Sequence, residues 1–364
     1  MQITSNTTGM PAGLTIGTDK EGRDWCVVVV KGTFLVRAGG TAVLAEKQQP
    51  LVFADVHYGD PAKTSIRYEC DFARLKPQAD VIVNGHAYAP GGKPATSVDA
   101  TLELGTIRKT IRVFGDRVWE QAILRRFSPS RPAPFTKMPL VYERAFGGVD
   151  ADKDGKRLAC EMRNLVGVGF NAGLRAKVEG TPLPNLEDPG HPIKDHRDAP
   201  PPAGFGVVGR GWQPRIRFAG TYDKQWLDER FPFLPVDFDD RYFLSAPADQ
   251  QVPHLKGGEQ VRCFNMTPEG TFALTVPELD VPITYRFRDR EQQVEPLLDT
   301  VLIEPDERRV LLTWRASVLV GRKLNALQEI RIGQPPRPVR LPNGKRRFES
   351  LAEMVVWEKS HKGS

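Results

Sequence analysis

Cysteine is scarce: Cys26, Cys70, Cys160 and Cys263 are the only four in 364 residues, and no two stand at metal-ligand spacing. A disulfide framework or a zinc ribbon is therefore not expected, and scattered cysteines in a chain this long fit buried free thiols in a reducing compartment. Long hydrophobic runs are also missing, since no stretch nears the roughly 18 apolar residues that span a bilayer. The opening MQITSNTTGMPAG lacks the basic region and apolar run of a secretory signal. The expectation is a soluble cytoplasmic protein with no membrane partner. Charge of one sign is lacking as well. Against 45 acidic residues stand 51 basic ones, a net +6, which is too mild to point to nucleic acid. Sequence signatures of catalysis are absent too: there is no G-x-S-x-G elbow, no Walker loop and no H-E-x-x-H. No cofactor is expected.

Glycine and proline are plentiful, at 33 and 31, and suit short strands joined by turns and long loops. WCVVVVKGTFLVR at 25–37 reads as a buried strand. PLVFADVHYG, SIRYECDF and ADVIVNGHAYAP read as further strands. TLELGTIRKTIRVFGDRVWE, 101–120, alternates apolar and polar residues around Gly105 and Gly115-Asp116 and reads as a meander. From 128 to 258 proline and glycine crowd in, and only YDKQWLDER at 222–230 looks helical. Ten aromatics between Phe205 and Phe243 argue for ordered coil, because disordered segments lack them. Strand patterns return near 260, and LDTVLIEPDERRVLLTWRASVLV, 298–320, reads as a hairpin turning at Glu304–Glu307. ESLAEMVVWEKS is an amphipathic helix candidate. The expected fold is mainly β, with antiparallel sandwich-like sheets, a loop-rich centre and few short helices. Its segments are an N-terminal sheet half (1–127), a loop-rich motif region (128–258) and C-terminal hairpins with a terminal helix (259–364), forming one continuous module.

One stretch has the spacing of a metal loop. DADKDGKRLACE places Asp150, Asp152, Asp154, Gly155 and Glu161 in the pattern of a calcium-binding loop. Such a loop sits between helices, yet Gly147-Gly148 stands directly before it, and Lys153, Lys156 and Arg157 oppose a cation. A solvated acidic turn without calcium affinity is the expectation. GFGVVGRG at 204–211 matches G-x-G-x-x-G through Gly204, Gly206 and Gly209. APPPA before it and Gln213-Pro214 after it deny it the strand and helix of a dinucleotide fold. HPIKDHRD carries His191, Asp195, His196 and Asp198, but its metal-capable side chains form no standard site, and a surface loop is expected. The basic clusters Arg108-Lys109 and Lys345-Arg346-Arg347 lack interleaved aromatics and read as solvated charge.

VYERAFGG at 141–148 opens a series of blocks. Gly167-Val168-Gly169-Phe170, Pro184-Asn185-Leu186-Glu187, GFG with Arg210 and Trp212, and Gly220-Thr221-Tyr222-Asp223 with Trp226 follow in order. Pro235 with Asp237-Phe238, Ala246-Pro247 with Asp249-Gln250, and LDTVLIEPDERRVLLTWR complete it. In this order the blocks resemble the bacterial domain-of-unknown-function 2169 family. Leu165 departs from that family's pattern, which has proline there. Members are described as adaptors encoded beside type VI secretion spike (VgrG) and PAAR-tip genes. The resemblance implies a non-enzymatic adaptor or chaperone whose partners are a type VI effector and the VgrG spike or PAAR tip. It implies that Tyr142, Glu143, Arg144, Phe146, Gly147, Gly148, Arg210, Trp212, Tyr222, Asp223, Trp226 and Asp237 form the scaffold or the partner-binding surface. Within that set, Glu143 with Arg144 and Arg210 beside Trp212 are expected to supply internal ion pairs and cation–π contacts. Two other readings are a hydrolase or lyase with a site in the loop-rich middle, and a structural component of the secretion apparatus.

Overall fold

A computed structural model describes residues 1–121, 127–151, 156–171, 178–320, 326–334, 339–340 and 346–347. Strands dominate it, and Lys224–Glu229 is the one α-helix among the described residues. The candidate C-terminal helix and Lys345 lie outside them. The chain divides into two compact units, Met10–Leu279 with Pro296–Leu324, and Met1–Gly9 with Asp280–Glu295 and Asn325–Ser364.

A seven-stranded sheet organises the larger unit. Its order is Gln251–Val252, Ala79–Val83, Leu297–Glu304, Arg309–Leu319, Asp24–Val36 and Ala12–Thr18, with Ala42–Leu44 pairing the far end of Asp24–Val36. All three sequence segments contribute strands to it. The two longest, Asp24–Val36 and Arg309–Leu319, are neighbours, in register from Trp25↔Leu319 to Leu35↔Arg309. Both are buried on two faces, which explains their near-continuous apolar runs. The sheet is not wholly antiparallel. Ala79–Val83 runs parallel to Leu297–Glu304, because the chain between them returns by a long crossover rather than a hairpin.

Register places Lys31, Thr313, Thr300 and Asp80 in one polar row across four strands. Beside it runs an apolar row of Leu311, Leu302 and Ile82, which packs with Ile66, Val207 and Ala246 from the covering loops. The loops are tied to the polar row by buried charges. Lys31 Nζ meets Asp71 at 2.9 Å, Lys76 Nζ meets Asp80 at 2.7 Å, and Arg315 Nε meets Asp299 at 2.5 Å. Arg315 also donates to the carbonyls of Asp71 and Ala73, while the Ser245 amide donates to Asp80. Such pairs fix where a segment docks more than how tightly it holds. They also explain why 50–59 and 65–72, expected as strands, contain only Val56–His57 and Ile66–Tyr68. Their backbone is committed to side chains instead: the Cys70 amide donates to Asp55 and the Val52 amide to Asp71.

A five-stranded sheet, ordered Leu186–Glu187, Ile107–Phe114, Ser97–Leu104, Gln260–Phe264 and Thr271–Thr275, contains the expected hairpin about Gly105. Its alternation buries Val98, Ala100, Leu102 and Leu104 on one face. In the smaller unit, Gln2–Asn6 runs parallel to Leu327–Ile332, followed by Ile283–Phe287 and Glu291–Val294. Ile283, Tyr285, Ile330 and Ile332 are buried there.

Candidate functional site

The motif residues part into two groups, one buried and one exposed. The buried group begins at the 3₁₀ turn Tyr142–Arg144. Tyr142 is buried and meets Trp212 edge to face, with ring centroids 5.3 Å apart. Glycine is required around them. A Cβ on Gly204 would lie 2.5 Å from the Tyr142 ring, and one on Gly209 would lie 2.9 Å from the Trp212 ring. Two of the three glycines of the G-x-G-x-x-G match, Gly204 and Gly209, thus make room for aromatic rings. Burial pushes the Tyr142 hydroxyl well above the usual tyrosine range.

The expected pairings within this group are not those formed. Glu143 accepts from the Ser65 amide at 2.9 Å and hydroxyl at 2.7 Å. Arg144 donates to Asn185 at 2.9 Å and reaches Asp116 at 3.3 Å. Successive side chains of a tight turn point apart, so neighbours in sequence find separate partners. Arg210 pairs with Asp55 at 3.2 Å and Glu69 at 3.3 Å rather than stacking on Trp212, and Arg215 also pairs with Glu69. These contacts join 55–69, 142–144 and 210–215 into one charge-paired framework.

Phe146 belongs to a separate core with Trp119, Leu183 and Ile193. Gly147 and Gly148 have φ of 153° and 111°, and a Cβ on either would strike the backbone of Asn164 or Gly167 within 2.5 Å. Beside them is a cavity of about 200 Å³, lined by Gly147–Val149, Gly167–Phe170, Trp119 and His196 among others. His196 is half-buried, with ring centroids 5.3 Å from Phe127 and 6.2 Å from Trp119. Sequence reading put it on a surface loop, and the fold brings it against the cavity. Its neighbours behave as expected of a loop: His191 is exposed and bonds Asp188, and Asp198 caps the Lys194 and Asp195 amides. Asp195 is held at about 2, chiefly by its hydrogen bond from Arg197.

The two described ends of the acidic stretch pair as strands. Val149–Ala151 pairs antiparallel with Arg157–Cys160 where a calcium loop has flanking helices. Asp150 is buried, with 1% of its surface exposed, so it is not part of a solvated turn; strand alternation points it inward. Glu161 is taken by Arg163, whose Nε, Nη2 and backbone amide donate at 2.8, 2.7 and 3.0 Å. Asp152, Asp154 and Gly155 lie outside the described residues.

The exposed group lies at 221–237. Asp223 caps the helix Lys224–Glu229 by accepting from the Trp226 amide at 2.8 Å. Trp226 holds the knuckle together. Its ring meets Tyr222 at 4.7 Å and Phe231 at 5.7 Å, and its Nε1 donates to the Phe233 carbonyl at 2.9 Å. Asp237 closes the loop by accepting from the Thr221 amide and hydroxyl, which hold its carboxyl below the usual range. The outer side chains remain in solvent: Phe231 is 64% exposed, Val236 69% and Leu227 57%. Tyr222 and Phe233 are exposed as well. In sequence Phe231 and Phe233 count only among the ten aromatics that argue for ordered, buried coil, and Leu227 and Val236 resemble core residues. Only their position on a closed loop shows that they face outward.

No curated protein and no solved structure matches the chain. A family model described as "Uncharacterized protein conserved in bacteria (DUF2169)" matches residues 21–315. That span holds all of Asp24–Val36, most of Arg309–Leu319, the charge-paired framework and the aromatic knuckle, and the chain belongs to this family.

Proposed function

We propose that the protein is a non-enzymatic cytoplasmic adaptor that binds a type VI secretion effector and helps load it onto the VgrG spike or PAAR tip. The observation that carries this reading is the knuckle at 221–237, where five large apolar side chains stand exposed on a loop locked by Asp223, Trp226 and Asp237. Exposed apolar clusters of this kind mark protein-binding surfaces, and a preformed loop loses little entropy on docking. The occupant is an apolar segment of the effector, shielded until delivery, and binding stabilises the pre-delivery form by mass action. The half-buried Glu143, Arg144 and Arg210 support the reading by being spent on internal pairs.

The test joins genetics to binding. Deleting the gene should lower the abundance or export of the neighbouring effector while the secretion tube still fires. Complementation with Phe231→Ser/Val236→Ser should fail to restore it. Unchanged export, or loss of firing itself, would sink the adaptor reading. The cavity beside His196 favours a second reading, a hydrolase or lyase with its site in the loop-rich middle. An effect of His196→Ala on export, with none from the knuckle variant, would favour it.

A further inference from the structure

The large sheet ends on the strand Ala12–Thr18, AGLTIGT. The Lys31 amide donates to Pro11 O and the Asp19 amide to Arg23 O. Hydrogen-bonded pairs alternate along an antiparallel ladder, so these two bonds fix the phase. Gly13, Thr15 and Gly17 bond inward to Asp24–Val36, while Ala12, Leu14, Ile16 and Thr18 turn their amides and carbonyls outward. None of those outward groups has a hydrogen-bond partner among the described residues. Every residue of the strand is half-buried, and it carries no charge and no proline. Edge strands that stay unpaired are ordinarily guarded by such residues.

The strand is close to a palindrome about Thr15. Laid antiparallel on a second copy, Leu14 faces Ile16, Gly13 faces Gly17, Ala12 faces Thr18, and Thr15 faces itself. Every outward residue then meets an outward residue, so Leu14–Ile16 and Ala12–Thr18 each exchange two hydrogen bonds on both sides of the axis. Shifted registers leave some of these groups unmatched. No like charges oppose one another, and apolar and threonine cross-strand pairs are favourable. A strand that complements itself gives a closed two-fold contact using the same patch on both chains.

We propose that Ala12–Thr18 is a homodimer interface, where two copies pair antiparallel about Thr15 and join their seven-stranded sheets. This rests on the sheet edge and not on the adaptor reading.

The test is sedimentation velocity of the full chain across the micromolar range, with two variants. Ile16→Pro removes an outward amide that the chain's own ladder does not use. Thr15→Lys places two lysines opposite each other in a non-hydrogen-bonded pair, where side chains lie closest. The expected result is a dimer for the parent, a folded monomer for Thr15→Lys, and loss of slow exchange at the Leu14, Ile16 and Thr18 amides in that variant. Ile16→Pro should also be monomeric; if it fails to fold, Thr15→Lys decides. A monomeric parent, or a dimer that persists in Thr15→Lys, overturns the proposal. So does a parent that pairs this strand with another protein instead.

Discussion

Tyr142 and Trp212 lie 70 residues apart in sequence and meet edge to face at an interplanar angle of 85°. Both are buried, and the loop 204–212 passes them with glycine at each close approach. Truncating either ring to alanine should cost about 3–5 kcal/mol of stability. Their double-mutant cycle should return a coupling of about 0.5–1.5 kcal/mol. Urea denaturation of the four proteins measures both, and additive losses would deny the ring contact.

The knuckle should behave oppositely. Val236→Ser alters an exposed side chain, so stability should stay within about 0.5 kcal/mol of the parent, while Phe231→Ser also gives up the edge contact with Trp226 and should lose about 0.5–1.5 kcal/mol. Partner binding should weaken by about tenfold or more if either residue is a binding hot spot, a loss on the order of 1.4–2 kcal/mol. Calorimetry on the purified complex reads the second quantity, and thermal melting reads the first.

Removing one member of a buried pair should be costly. Asp299→Ala leaves the Arg315 guanidinium buried beneath the loop layer, and the expected loss is about 3–5 kcal/mol. Replacing Asp299 and Arg315 together by apolar residues should recover part of it. Equal losses in the single and double variants would show that the pair is not the cause.

Glu161 gives stability a pH dependence. The hydrogen bonds from Arg163 hold its carboxyl below the ordinary 4.5. Its contribution is present above the unfolded-state value and fades as pH falls through the lower folded-state value. The stability difference between the parent and Glu161→Gln should therefore be largest near neutrality and shrink in acid below that ordinary value. Denaturation at several pH values checks the sign. With this carboxylate engaged, millimolar calcium should leave the melting temperature unchanged, whereas a calcium loop would raise it.

Thiol reactivity should divide the cysteines evenly. Cys26 and Cys263 are buried, and burial pushes both thiols up to about 12. Cys70 and Cys160 are half-exposed. A thiol reagent should label the latter two in the native protein and all four in urea.

The amino-acid pattern by itself determined the β character. The runs at Asp24–Val36 and Arg309–Leu319, the alternation about Gly105 and the short helix at Lys224–Glu229 are local signals, written in side-chain periods of two and 3.6. The ordered motif blocks likewise carried the family. Only the tertiary structure decided that 50–76 is mostly a loop layer with two short strands, because half-buried carboxylates more than ten residues away claim its amides. It also decided that Ala79–Val83 lies parallel to Leu297–Glu304, that His196 lines a cavity, and that Phe231 and Val236 face water. Pairing partners, cavities and exposure depend on contacts across long sequence separations, and those contacts leave no period in the chain to read.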